Sequence, residues 1–116
     1  MTPTEIRQLS PSEAARRIAE LGSEHLQLID VREPQEAEVA AIAGFRLVPL
    51  SAYADWADSL TEELDPQRPT IVLCHHGMRS YRMCQWLQAQ GFTDVWNLAG
   101  GIDEWSLTVD AQVPRY

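Results

Sequence analysis

The sequence predicts an α/β protein whose parallel sheet is covered by helices on both faces. Three observations lead there. Short apolar runs, Leu26–Val31 and Thr70–Leu73 the clearest, alternate with longer segments of helical period. Glycine and proline punctuate the changes, at Gly22, Pro34, Pro66, Pro69 and Gly91. The two clearest runs are apolar almost throughout, as strands buried on both faces are, and end on a charged Asp30 and a Cys74.

Each element follows from its residues. Glu5–Leu9 alternates and reads as a first strand. Ser10 or Ser12 caps a helix running through Leu21, with Pro11 in its first turn and Gly22 ending it. Ala15, Ile18, Ala19 and Leu21 give that helix its apolar side. Leu26–Val31 is a buried strand with a functional end, Pro34 stops it, and Glu36, Glu38 and Val39 suggest a short acidic helix. Arg46-Leu47-Val48 is a brief strand before Pro49, and Ser51 is expected to cap a helix holding Tyr53, Trp56 and Leu60. Pro66 and Pro69 bracket a turn before the strand from Thr70. Arg79–Gln90 is a helix closed by Gly91 at its C′ position. Ser80, Met83, Cys84 and Leu87 form its packing face at i, i+3, i+4 and i+7. Val95-Trp96-Asn97 is the last strand and Gly101–Leu107 the last helix. The tail, 110–116, is expected to pack as an extended strap or to fray.

Composition bounds the function. A chain of 116 residues suits one domain, 1–116, and its 45% hydrophobic content suits a globular core. No apolar run approaches the ~20 residues of a membrane span. The N-terminal stretch lacks the apolar centre of a signal peptide, so a cytoplasmic address is expected. The formal net charge of −8 argues against nucleic-acid binding. All nine basic residues are arginine, which removes Schiff-base chemistry and a P-loop lysine. Two cysteines in such a chain argue against a disulfide framework. Cys84 shares its face with Met83 and Leu87 and is expected to behave as a small core hydrophobe.

Chemistry concentrates in Cys74, His75, His76, Gly77, Met78 and Arg79, between a strand and a helix. A cysteine there sits at the carboxyl end of a strand, where open α/β sheets place their ligands. Its sulfur faces the amides of a tight loop and the positive end of a helix, both of which favour an anion. Arg79 supplies a permanent cation whose fork matches an oxyanion. Gly77 lets the loop turn with positive φ or approach a ligand closely. Cys74 is therefore the candidate nucleophile, against the alternative of an inert buried cysteine. His75 and His76 either tune the site near neutral pH or divide between solvent and loop packing. Asp30 and Arg32 either steady the loop or form an ordinary structural ion pair. A metal site is disfavoured, because adjacent histidines do not converge readily on one ion and no zinc spacing follows. No cofactor is expected, since Gly100-Gly101 lacks a G-x-G-x-x-G pattern.

The run Cys74-His75-His76-Gly77-Met78-Arg79 resembles the Cys-x-x-Gly-x-Arg active-site loop of the rhodanese family of sulfurtransferases. Leu28-Ile29-Asp30-Val31-Arg32-Glu33 resembles that family's Asp-Val-Arg strand end, and Asn97–Ile102 with Trp105 its closing Gly-Gly turn and helix. Where many members carry His-Ile-Pro-Gly-Ala, this chain has Ala41-Ile42-Ala43-Gly44-Phe45, a segment of mainly structural meaning. The resemblance implies a five-stranded sheet in the order 1-5-4-2-3. It also implies transfer of a sulfane sulfur through a persulfide on Cys74, with Arg79 orienting the sulfonate end of a donor such as thiosulfate. A small-molecule sulfur donor and a thiol or protein acceptor are then the expected partners, with the protein acting as a monomer. Two alternatives stand beside this. One is a cysteine phosphatase, weakened because Cys74 and Arg79 are separated by four residues and not five. The other is a catalytically silent carrier or partner-binding module.

Overall fold

The computed structural model describes residues 5–22 and 24–116; the first four residues of the N-terminal stretch and Ser23 lie outside the described residues. The chain order is β1 (Arg7–Leu9), α1 (Pro11–Leu21), β2 (Gln27–Asp30), α2 (Pro34–Val39), β3 (Arg46–Leu47) and a 3-10 turn (Leu50–Ala52). There follow α3 (Tyr53–Glu63), β4 (Thr70–Leu73), α4 (Met78–Ala89), β5 (Val95–Leu98) and α5 (Gly101–Thr108). All pairings are parallel and the order across the sheet is β1-β5-β4-β2-β3, as expected.

Side chains alternate across a strand with period two, so a strand buried on both faces feeds two cores. In β4, Ile71 and Leu73 join the core that holds Leu28 of β2, Ala14 of α1, and Ile102 and Trp105 of α5. Val72 joins the opposite core, with Ile29 of β2, Trp56 and Leu60 of α3, and Met83 and Leu87 of α4. The next residue after Leu73 is Cys74, and the alternation delivers it to the α4 side. All four residues of β2 and all four of β4 are buried.

The helix boundaries follow their caps. Ser10 accepts from the Glu13 amide at 3.2 Å, and Pro11 occupies the first turn of α1. In α2 the Glu36 carboxylate accepts from the Glu33 amide at 3.1 Å, the reciprocal bond of a capping box. Ser51, expected as the cap of α3, lies instead inside the 3-10 turn, and its hydroxyl donates to Glu33. Ala52 precedes α3 without a side-chain cap. The first strand is shorter than Glu5–Leu9 because pairing with β5 begins at Arg7 opposite Trp96. The tail packs as a strap: Val113 lies against the α1–α5 core and Arg115 pairs with Asp103 at 2.8 Å.

Candidate active site

The loop after β4 is shaped by what holds its two kinds of backbone group. Its carbonyls are taken by the start of α5: the Ile102 amide donates to Cys74 O at 2.9 Å and the Asp103 amide to His75 O at 3.2 Å. On the amide side, the Gly77 N–H donates to Cys74 Sγ at 3.0 Å. Gly77 has φ of 104°, a conformation that favours glycine. The close approach of α5 needs a second glycine. A Cβ on Gly101 would stand 2.3 Å from His75 O and 2.5 Å from Cys74 O, overlaps no side chain accepts. Gly100-Gly101 thus serves the loop that carries the cysteine.

Cys74 is 1% exposed, and its Sγ lies 3.1 Å from Ser80 Oγ on the first turn of α4. Ser80 is itself buried and donates to Asn97 Oδ1 at the end of β5. The orientation of Asn97 is set by its amide nitrogen, which donates to Gly77 O and to Gln8 Oε1, both at 3.0 Å. A polar chain therefore runs from the sulfur through Ser80 and Asn97 to Gln8, crossing from α4 to β5 to β1.

Arg79 stands at the helix start as expected, but both ends of its fork lie on Glu36. NH1 donates to Glu36 Oε1 at 2.6 Å and NH2 to Oε2 at 2.8 Å. These bonds, with the Glu33 amide and Tyr116 hydroxyl, hold the Glu36 carboxyl down to about 2 against the opposing effect of its partial burial. The same pairing raises the Arg79 pKa further above its ordinary value. The expected role of Arg79 in orienting a sulfonate is thus met by a fork already paired across α2 and α4.

Asp30 and Arg32 form a buried pair, with Arg32 NH2 donating to Asp30 Oδ2 at 2.7 Å and Nε to Oδ1 at 3.0 Å. Burial opposes the Arg32 charge, but the bonds to Asp30 and Tyr116 outweigh it, so its pKa is raised. Arg32 NH1 donates to Tyr116 at 3.0 Å and to the Glu36 carbonyl at 3.3 Å. Arg32 thus joins Asp30 to Tyr116 and to the end of α2, and Asp30 itself lies in register with Leu73, the residue before Cys74.

The two histidines sit in different surroundings. The His76 side chain is 62% exposed and 4.0 Å from Asp103. His75 is stacked, its ring 3.9 Å from His76 on one side and 3.9 Å from Tyr116 on the other, the latter nearly parallel at 6°. Burial, then the neighbouring His76, lowers the His75 pKa, which favours the neutral ring. Cys84 lies in the α4 core, where burial and the nearby Cys74 push its thiol up to about 12.

No motif points to Ser80, Glu36 or Tyr116, and Asn97 enters one only as the first residue of the Gly-Gly turn segment. Ser80 read only as part of a packing face, and Tyr116 as part of a tail. The Glu33–Glu36 spacing of a capping box was the one local signal for Glu36.

The Rhodanese-like domain family matches residues 10–108, and the chain belongs to that family. It is 34% identical over 93 residues to the thiosulfate sulfurtransferase GlpE of Pseudomonas aeruginosa strain LESB58, covering 80% of this chain and 78% of that one. It is 49% identical over 90 residues to the chloroplastic rhodanese-like/PpiC domain-containing protein 12 of Arabidopsis thaliana. That match covers 78% of this chain but only 30% of the relative's length. The rhodanese-like domain protein of Staphylococcus aureus superposes with a TM-score of 0.74 at 22% identity, covering 96% of this chain and 99% of that one. Among the described residues, no helix is long and apolar enough to cross a membrane.

Proposed function

We propose that the protein is a sulfurtransferase that carries a sulfane sulfur as a persulfide on Cys74. The observation that supports this most is the Gly77 amide on Cys74 Sγ at 3.0 Å, in a loop whose carbonyls are held by α5. That arrangement presents the Gly77 backbone dipole to an anion on sulfur, whether thiolate or persulfide. The similarity to a thiosulfate sulfurtransferase points the same way.

In the first half-reaction the Cys74 thiolate attacks the outer sulfur of a donor. A Cys74–sulfur bond forms, the donor's sulfur–sulfur bond breaks, and its electron pair leaves with the donor's remainder. With thiosulfate the leaving group is sulfite and the negative charge stays on the new persulfide. In the second half, a thiol or cyanide takes the outer sulfur and the thiolate returns. This is covalent catalysis with ping-pong order. Incubation with thiosulfate or an organic persulfide should add one sulfur, about 32 Da, to the intact mass. A reductant should remove it and Cys74→Ser should never acquire it. Sulfur transfer to cyanide by Cys74→Ser at the wild-type rate would overturn the proposal.

A further inference from the structure

The charged groups on the Cys74 loop and on the segments packed near it are already paired. The Arg79 fork is on Glu36. Arg32 is on Asp30 and Tyr116, and Arg115 is on Asp103. His75 is shifted towards its neutral form and His76 faces Asp103. Thiosulfate is a small dianion, and the chain's formal charge is −8. To bind its sulfonate in the Arg79 fork, the donor must displace Glu36. Glu36 is held from two further sides, by the Glu33 amide at 3.1 Å and the Tyr116 hydroxyl at 2.8 Å. Displacing it breaks two charge-assisted bonds to Arg79 and disturbs two others.

We propose that Glu36 selects the sulfur donor: by filling the Arg79 fork it disfavours a doubly charged sulfonate and leaves the loop to organic persulfides, R–S–SH. This rests on the sulfurtransferase reading above. Such a donor needs no fork. The Cys74 thiolate attacks its outer sulfur, the donor's S–S bond breaks, and RS⁻ leaves with one charge. The outer proton stays on the new persulfide or passes to RS⁻, and nothing is oxidised or reduced overall. The surroundings suit an organic body: the rings of His76, His75 and Tyr116 are stacked at the loop, and Met78, the first residue of α4, is 77% exposed. Glu36 is a positioning residue here, acting through Arg79.

The test compares wild type with Glu36→Gln, using thiosulfate and cysteine persulfide as donors and one common acceptor. Glutamine at this position retains the capping bond to Glu33, so the helix is kept. In wild type, kcat/KM should favour the persulfide. In Glu36→Gln the ratio of thiosulfate to persulfide kcat/KM should rise about tenfold, the worth of one charge-assisted bond, through a lower KM for thiosulfate. An unchanged ratio, including an equal fall for both donors, would overturn the assignment and leave the sulfurtransferase reading standing. A peptide carrying one persulfidated cysteine, run beside free cysteine persulfide, separates a protein donor from a small one; either outpacing thiosulfate in wild type supports the proposal. Transfer by a parallel Cys74→Ser control, or no transfer from any donor by wild type, would overturn the sulfurtransferase reading and the Glu36 assignment together.

Discussion

Ser80 has one hydroxyl proton and two acceptors within reach, Asn97 Oδ1 and Cys74 Sγ. While Cys74 is a thiol, its S–H donates to Ser80 Oγ and the serine proton goes to Asn97. Once the sulfur is a thiolate it has no proton to give, and the serine hydroxyl must turn towards it. Asn97 cannot turn in exchange, because its amide nitrogen is committed to Gly77 O and Gln8. The serine rotor is therefore the group that adapts to the charge on sulfur. Ser80→Ala should slow alkylation of Cys74 by a small electrophile at neutral pH by about tenfold, the worth of a hydrogen bond to a charged group. Ser80→Thr should recover part of the loss. Stopped-flow alkylation of the three proteins measures this, and equal rates would place the serine proton permanently on Asn97.

At the scale of elements, the loop after β4 takes its shape from α5, a helix remote in sequence. Two amides from α5 hold the loop carbonyls, and Gly101 permits that contact. Its φ of 63° alone disfavours any other residue by about 1–2 kcal/mol, and the overlap with two carbonyl oxygens adds to that. Gly101→Ala should lower stability by at least this amount in urea denaturation. It should also reduce sulfur transfer in the protein that remains folded, because the loop must withdraw from α5. Unaltered stability would mean that α5 can slide along the sheet at no cost. The pairing of α2 with α4 through Glu36 and Arg79 is a second clasp on the same loop.

For the whole molecule, that clasp should appear in acid stability. The Glu36 carboxyl lies near 2 when folded against an ordinary value of 4.5. Its folded pKa is depressed, so its contribution is fully present above about pH 4.5 and is lost as pH falls towards 2. Over that window the unfolded chain binds more protons than the folded one. The free energy of unfolding should fall with acid more steeply in wild type than in Glu36→Gln, read from urea denaturation at a series of pH values. Parallel curves would show that the pair contributes nothing to folding.

What the sequence determined by itself was local in origin. Period-two and period-3.6 patterns marked the strands and helices, and the largely apolar runs of β2 and β4 marked a sheet buried on both faces. The strand-to-helix step at Cys74 located the candidate nucleophile, because a short polar segment after a buried strand can lie only at the sheet's edge. The strand order came from likeness to a family, since periodicity carries no information on which strands are neighbours. Tertiary structure alone decided the partners. Glu36 is 43 residues from Arg79, Tyr116 is 80 from Glu36, and Asn97 is 17 from Ser80. Side-chain pairing at such separations depends on where the folded backbone places each group, and on competition among acceptors for a few protons. For that reason the cation expected to face a donor is found on a carboxylate, and a tail tyrosine is found stacked on the loop beside the cysteine.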